Sequence, residues 1–308
     1  MNKTVYTNLF GTFMFKENKI IAKKLFKNLT DRKNKLKYEK EYLKKNVEKA
    51  DSDFVFPKSK EFNELFYKFN MAKTKKDLIK SVRTDNLINQ AINNIDDLNK
   101  VINLLSKRLR EWYSLYFPEL DLKVEDHEIY AQYVTTKKRT TMEKEFGMRT
   151  IGSDLSDEDV KQTKSLAKEI LSLIKLRESE KNYIEEIMSH HCPNLKEVAT
   201  TTIAAELIEH ARSLENLAGM TSSTIQLLGA EKALFRHLMN KRAGCPKHGI
   251  IINHPLVASA RHKDKGKAAR HLASAISIAA KVDFFHKGAL DNTQGKLLVE
   301  KLNKQLKK

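Results

Sequence analysis

Residues 229–249 read GAEKALFRHLMNKRAGCPKHG, setting Lys232, Arg236, Lys241, Arg242 and Lys247 among Leu234, Phe235, Leu238 and Met239. Gly229 stands where a helix would begin. The first N–H groups of a helix have no internal acceptor and carry a partial positive charge, so such an end suits an anion, phosphate above all. Lys232 and Arg236, four apart, share one helix face. Leu234 and Leu238 share another, and the spacing predicts that they anchor the helix to a core. Arg242, Lys247 and His248 follow in a loop constrained by Gly244 and Pro246. A second basic run, ASARHKDKGKAARHL, places Arg261, Lys263, Lys265, Lys267 and Arg270 around Gly266, again where a helix starts. Either run alone reads equally well as a solvated lysine-rich loop. Two of them on an apolar helical scaffold point to backbone recognition of structured RNA or DNA. Aromatic residues do not interleave with these cations, which argues for shape and phosphate recognition over base stacking.

Other chemistries fit less well. HHC at 190–192 and CPKH at 245–248 hold zinc-ligand residue types, but the spacing matches no standard finger and no second CxxC accompanies them, so no metal is expected. His254, His262 and His271 read as RNA-facing or packing residues. No GxGxxG, Walker loop, HExxH or GxSxG motif occurs. Glu231 beside Lys232 resembles a catalytic pair, yet glutamates are common at helix starts for dipole reasons alone. No catalytic residue and no cofactor is therefore assigned to this chain.

The 308 residues suffice for two or three domains with real cores. Apolar content of 41% is ordinary, whereas a net charge of +18 and a pI near 9.6 are not. An excess of that size favours polyanionic partners. From Gln226 onward there are 17 Lys and Arg against 5 Asp and Glu, so about two thirds of the net charge lies in the last 83 residues. A uniform lysine bias would not be so lopsided. Two cysteines, Cys192 and Cys245, permit one disulfide at most and suit a reducing cytosol. No apolar run approaches the roughly 20 residues of a membrane span, and the N-terminus lacks a signal-peptide pattern. A cytoplasmic protein with no membrane partner is expected.

Three segments position these residues. In 1–83, VYTNLFGTFMF and KIIAKKLF read as strands joined through KENK. KLKYEKEYLKKNVEKA and FNELFYKFNMA read as helices, with a break at 51–57. This predicts a small α/β domain. In 84–190, Ile88, Ala91, Ile95, Leu98, Ile102, Leu105, Leu109 and Trp112 are spaced alternately 3 and 4 apart, an unbroken heptad seam. It predicts a helix over 85–116, capped by Asp85 and stopped before Pro118. A second helix starts at SDLSDEDV, where Ser156 and Asp159 resemble a capping box. The regularity of the seam favours an antiparallel coiled-coil arm over two ordinary helices in a bundle. In 191–308 every strong pattern is helical. LKEVATTTIAAELIEHARSLENLAGM reads as one long helix stopped near Gly219, and KAARHLASAISIAAKVDFF stacks Leu272, Ile276 and Ala280 on one side. The fold class is mainly α, α+β overall.

These motifs have a familiar combination. LGAEKALFRHL, GCPKHGIIINHPLV and KGKAARHLASAISIAAKVDFF closely resemble the Nop domain, and LREWYSLYFPEL resembles the tip of that family's coiled-coil arm. SLENLAGMTSSTIQLLGAEK is similar to the lead into its RNA-binding helix. The likeness runs from about residue 100 to 288. Short length and a nearly absent tail resemble the archaeal core protein of box C/D guide ribonucleoproteins. The resemblance implies a non-catalytic scaffold whose N-terminal domain holds fibrillarin, the methyltransferase that uses S-adenosylmethionine. The arm would pair with a second copy through Ile95, Leu98, Ile102, Leu105, Leu109 and Trp112. The 191–308 domain would grip kink-turn guide RNA with a small ribosomal-protein-like partner. Lys232 and Arg236 would lead the contact, with 241–248 and 261–270 beside them. The assembly would direct 2′-O-methylation of ribosomal or transfer RNA. In residues 1–83 the likeness lies in arrangement more than motif, and LFGTFMF is the expected methyltransferase contact. A Nop-type splicing factor on a small nuclear RNA is the runner-up. A stand-alone RNA-modifying enzyme and a general double-strand binder are further alternatives.

Overall fold

The computed structural model describes residues 3–7, 11–16, 19–25, 48–49, 60–286 and 291–306. The chain divides into two compact units, Met1–Arg83 and Thr84–Lys308. It is mainly helical, with a small sheet at the N-terminus.

In the first unit, β1 (Lys3–Thr7), β2 (Gly11–Lys16), β3 (Lys19–Leu25) and β4 (Glu48–Lys49) lie in the order β3-β2-β1-β4. β2 pairs antiparallel with both β1 and β3, and β4 runs parallel to β1. VYTNLFGTFMF is thus two strands of a hairpin, where the sequence suggested one. Thr12, Phe13 and Met14, on a strand flanked on both edges by β1 and β3, are all buried. Phe13 and Met14 therefore serve the sheet's own core and are not open to a partner, while Leu9 and Phe10 lie outside the described residues. Most of KLKYEKEYLKKNVEKA also falls outside them, although Glu48 and Lys49 are strand. α1 (Lys60–Ser81) contains FNELFYKFNMA as expected.

In the second unit, α2 (Thr84–Tyr113) and α6 (Asp157–His191) form the hairpin. Asn99 Oδ1 accepts from Arg177 Nη1 at 3.2 Å, and Asp85 Oδ1 meets His191 Nε2 at 2.6 Å. Moving 14 residues up one helix moves 14 down the other, so the pair is antiparallel and in register. At about 1.5 Å per residue α2 is roughly 45 Å long. Asp85 is not the cap but a buried residue of the first turn, whose Oδ2 also accepts from Leu214 N at 3.2 Å. Ser156 caps α6, accepting from Asp159 N at 3.2 Å.

The seam is real, but it turns inward. Ile95, Leu98, Ile102 and Leu109 are buried and Leu105 is half-buried. They pack within the same chain, Leu98 to Leu109 with Ile170 and Ile174, and Ile95 with Ile184. A heptad pattern needs one opposing helix, and α6 supplies it, so these residues are not a free surface for a second copy. Trp112 alone of the six is exposed. It shares the outer face of α2 with Val101 and Leu104, the latter 66% exposed.

Three short helices make the tip: α3 (Glu119–Lys123), α4 (His127–Thr136) and α5 (Arg139–Phe146). Arg110 binds the first two together. It donates to Asp121 Oδ1 at 2.7 Å, Glu125 O at 2.6 Å and His127 Nδ1 at 3.2 Å, and stacks 4.3 Å from the Tyr130 ring centre. Tyr113 and Tyr130 meet edge to face at 6.3 Å, and burial raises the pKa of both phenols.

The predicted long helix over 195–220 is broken into α7 (Pro193–Ala199), α8 (Thr201–Ala211) and α9 (Leu214–Gly219). Thr200 and Arg212 adopt positive φ, at 68° and 69°. Tertiary contacts hold the second break: Asn89 Nδ2 donates to Arg212 O at 3.1 Å and Asn216 Nδ2 to Ala211 O at 2.9 Å. Gly219 is the last helical residue, not the residue beyond it. α10 (Ser222–Leu227), α11 (Glu231–Met239), a 3-10 turn (Ile250–Asn253) and α12 (Pro255–Ala258) follow. α13 (Lys265–Phe285) runs through the core, burying Leu272, Ile276 and Ala280 with five other alanines. α14 (Thr293–Leu306) is pinned by Asn194, whose Oδ1 accepts from Gly295 N at 2.7 Å while its Nδ2 donates to Asp283 Oδ1 at 2.7 Å. Burial raises the Asp283 carboxyl pKa, against the pull of its Asn194 and Leu195 hydrogen bonds.

Candidate nucleic-acid interface

α11 begins at a tight corner. Gly229 has φ of 84°, and a Cβ there would lie 2.4 Å from Ile250 Cγ1, so both conformation and space require glycine. Ala230, the N-cap, offers no side-chain acceptor to the first turn. Glu231 instead reaches back, its Oε1 accepting from Gly229 N at 2.7 Å. The helix end therefore already holds a carboxylate beside its first turn.

The loop after α11 is laced to the segment before it. Gly249 N donates to Gln226 O at 2.8 Å, Ile250 N to Leu228 O at 2.9 Å and Gln226 Nε2 to Lys247 O at 2.6 Å. His237 Nδ1 meets Ala243 O at 2.5 Å, folding the 240–244 turn under the helix end. Lys247 then lies across the start of α13, its Cβ and Cδ 3.8 Å from where a Gly266 Cβ would be. The two basic runs, separate in sequence, thus meet at Lys247 and Gly266.

Lys232, Arg236, Lys241, Arg242, Lys247, Lys263, Lys267 and Arg270 are exposed, while His248 and Lys265 are half-buried. Among the described residues none of these cations pairs with a carboxylate. Arg261 is the exception, its Nε donating to Asp264 Oδ2 at 3.1 Å. Cations left in water without internal partners contribute little to the fold and remain available to an external anion.

The expected core anchor of α11 is corrected. None of its residues is buried: Leu234 is half-buried, Leu238 is 63% exposed and Met239 91% exposed. The helix stands out as a ledge held by its ends, with Phe235, Leu238 and Met239 facing outward beside the cations. His254 is buried and caps α12, its Nδ1 accepting from Leu256 N at 3.2 Å, so it is structural. Burial lowers its pKa. Cys192 is buried, with its thiol pKa pushed up by burial, and Cys245 is exposed; both are free thiols. His191 is engaged by Asp85, and no group of three or more His, Cys, Asp or Glu among the described residues is placed to hold a metal. Among the described residues no helix is long and apolar enough to cross a membrane. Gln226 and the outward apolar side of α11 gave no signal in the sequence, because each depends on the fold of the corner; Glu231 was visible as a helix-start glutamate, but not its bond back to Gly229 N.

A helical core on which two basic runs converge, with most of their cations unpaired among the described residues, has the character of a nucleic-acid-binding protein. Residues 94–308 match the family model Nop, described as snoRNA binding domain, fibrillarin, and the chain belongs to that family. A NOP5 family protein of Methanocaldococcus jannaschii is 41% identical over 288 residues, 86% of this chain and 67% of that protein. Nucleolar protein 56 of Caenorhabditis elegans is 34% identical over 248 residues, covering 73% and 51%. The Schizosaccharomyces pombe nucleolar protein 56 is 38% identical over 225 residues, covering 66% and 45%. The chain thus spans about half the length of those nucleolar relatives. A chain in the crystal structure of a fibrillarin/Nop5p complex is similar, with a TM-score of 0.47 and 24% identity over 98% of both chains.

Proposed function

We propose that this protein is a non-catalytic scaffold of an archaeal-type, cytoplasmic box C/D guide RNA–protein complex. It binds kink-turn RNA through the face that runs from Lys232 and Arg236 over Lys247 to Arg261–Arg270. The observation that carries the reading is the meeting of the two basic runs at Lys247 and Gly266, with every one of their cations except Arg261 unpaired among the described residues. A rigid phosphate backbone needs such a row, positioned in advance. The small kink-turn protein has a place to dock beside it, on the exposed Phe235, Leu238 and Met239.

In this reading the 1–83 domain holds fibrillarin, which brings S-adenosylmethionine. The 84–190 arm joins two copies, and the 191–308 domain holds RNA. Since the heptad seam is used inside the hairpin, the contact between copies moves to the outer row of Val101, Leu104 and Trp112. Leu104→Lys with Trp112→Ala converts a dimer to a monomer in sedimentation without lowering the melting temperature; an unchanged dimer would place the contact elsewhere. The scaffold positions an enzyme at a fixed distance from the RNA motif, an orientation effect rather than a chemical one.

The test compares a kink-turn RNA with a straight duplex on the full chain, with and without the small kink-turn protein, and repeats both for Lys232→Ala plus Arg236→Ala. Tight binding confined to the kink-turn and lost in the double variant is the expected outcome. Equal binding to both RNAs, unaffected by the substitutions, would reduce the face to a nonspecific polyanion surface. Methyl transfer from labelled donor by the purified chain alone would overturn the non-catalytic assignment.

A further inference from the structure

A groove of about 450 Å³ opens between the start of α13 and the end of α14, within the roughly 300–1,000 Å³ of small-ligand clefts. Its lining combines three chemistries. Leu256 and Leu306, both half-buried, give an apolar floor against the buried Ala268. Asn303 and Gln305 bring two carboxamides with no hydrogen-bond partner among the described residues. Arg261 and Lys267 stand at the rim; Lys267 pairs with no described carboxylate, and Arg261 spends only its Nε on Asp264, whose carboxylate also borders the groove.

We propose that this groove takes one unpaired nucleotide of the bound RNA, flanking the segment held on the basic face; the inference rests on the RNA-binding reading above. A nucleobase is flat and apolar on its faces, and its edge mixes donors with acceptors. A carboxamide both donates and accepts, so two of them can read such an edge, as single-stranded RNA is commonly read. A bare phosphate would need neither the apolar floor nor the amides. The cations at the rim suit the phosphate that the base carries with it. Lys267 at the rim follows Gly266, over which Lys247 lies. The mouth of the groove is therefore within one helical turn of the point where the two basic runs meet.

The experiment uses the full chain and three RNAs sharing one kink-turn stem: blunt, with a four-nucleotide 5′ extension, and with a four-nucleotide 3′ extension. The extensions carry 4-thiouridine for photocrosslinking. One extension is expected to tighten binding about tenfold, the scale of one or two net hydrogen bonds, and to crosslink within residues 256–268 or 303–306. Asn303→Ala with Gln305→Ala removes that gain and leaves blunt-RNA affinity and the melting temperature unchanged. Asn303→Asp, nearly the same size, removes it because a carboxylate only accepts and cannot donate to the base edge. Blunt RNA bound but neither extension giving a gain overturns the groove and leaves the wider reading standing. No binding of blunt RNA overturns both. Crosslinks confined to other residues also overturn it. Competition by micromolar adenosine or uridine monophosphate would assign the groove to a free nucleotide and overturn the RNA proposal.

Discussion

The tip of the arm and the face around Lys247 are both rich in cations, and they use them in opposite ways. Arg110 is mostly buried, with three hydrogen-bond partners and a tyrosine ring beneath it. Arg139 is held similarly by Asp154, Gly152 O and Tyr116. Among the described residues Lys232, Arg236, Lys241 and Arg242 have no such carboxylate or ring, and α11, which carries the first two, buries nothing. A cation held by internal partners belongs to the architecture. One whose donors face water, among others like it, is available to something outside the chain. Partner counting therefore separates building cations from binding cations where exposure alone would not.

The largest expected effect lies on the building side. Ile102→Ala, in the closed seam, should cost about 3 kcal/mol through lost burial and the cavity left behind, read as a lower denaturation midpoint. Lys232→Ala plus Arg236→Ala should leave that midpoint in place and weaken RNA binding by roughly one to two orders of magnitude, with the salt slope smaller by about 2. Arg110→Ala should reverse the pattern: about 2 kcal/mol of stability lost with the tip's hydrogen bonds and no change in RNA affinity. If Arg110→Ala weakened RNA binding, or Lys232→Ala with Arg236→Ala lowered the midpoint, the division would fail.

The smallest effect is a pH dependence. Burial lowers the His254 pKa below its ordinary 6.5. On acidification through that value the unfolded chain takes up a proton that the folded chain refuses, so stability falls as pH drops and is fully present above it. His254→Asn keeps an acceptor for Leu256 N and should flatten this part of the stability–pH curve.

Much of the molecule was legible in sequence because it rests on local rules. The 3–4 spacing from Ile88 to Trp112 required a helix with one apolar seam, and Ser156 marked the start of its partner. What the seam met was not legible, since a heptad face fits a sibling helix and a second copy equally well. The breaks at Thr200 and Arg212 carry no Gly or Pro; Asn89 and Asn216 impose the second from outside the helix. The basic runs around α11 and α13 were visible as composition, and their convergence was not, because it depends on the lacing of Gln226 to Lys247. The groove was hidden for the same reason: Arg261 and Asn303 are brought together only by the return of α14 across α13.

Asp85 sits buried where the arm meets the C-terminal helices. Its carboxylate clasps His191 and Leu214 N, joining α2, α6 and α9 at the foot of the arm. An arm of roughly 45 Å is a lever, and a tilt of about 5° at that clasp sweeps its far end sideways by about 4 Å. Asp85→Ala would then act as a change of aim: contacts at either end could persist while the distance between them drifts.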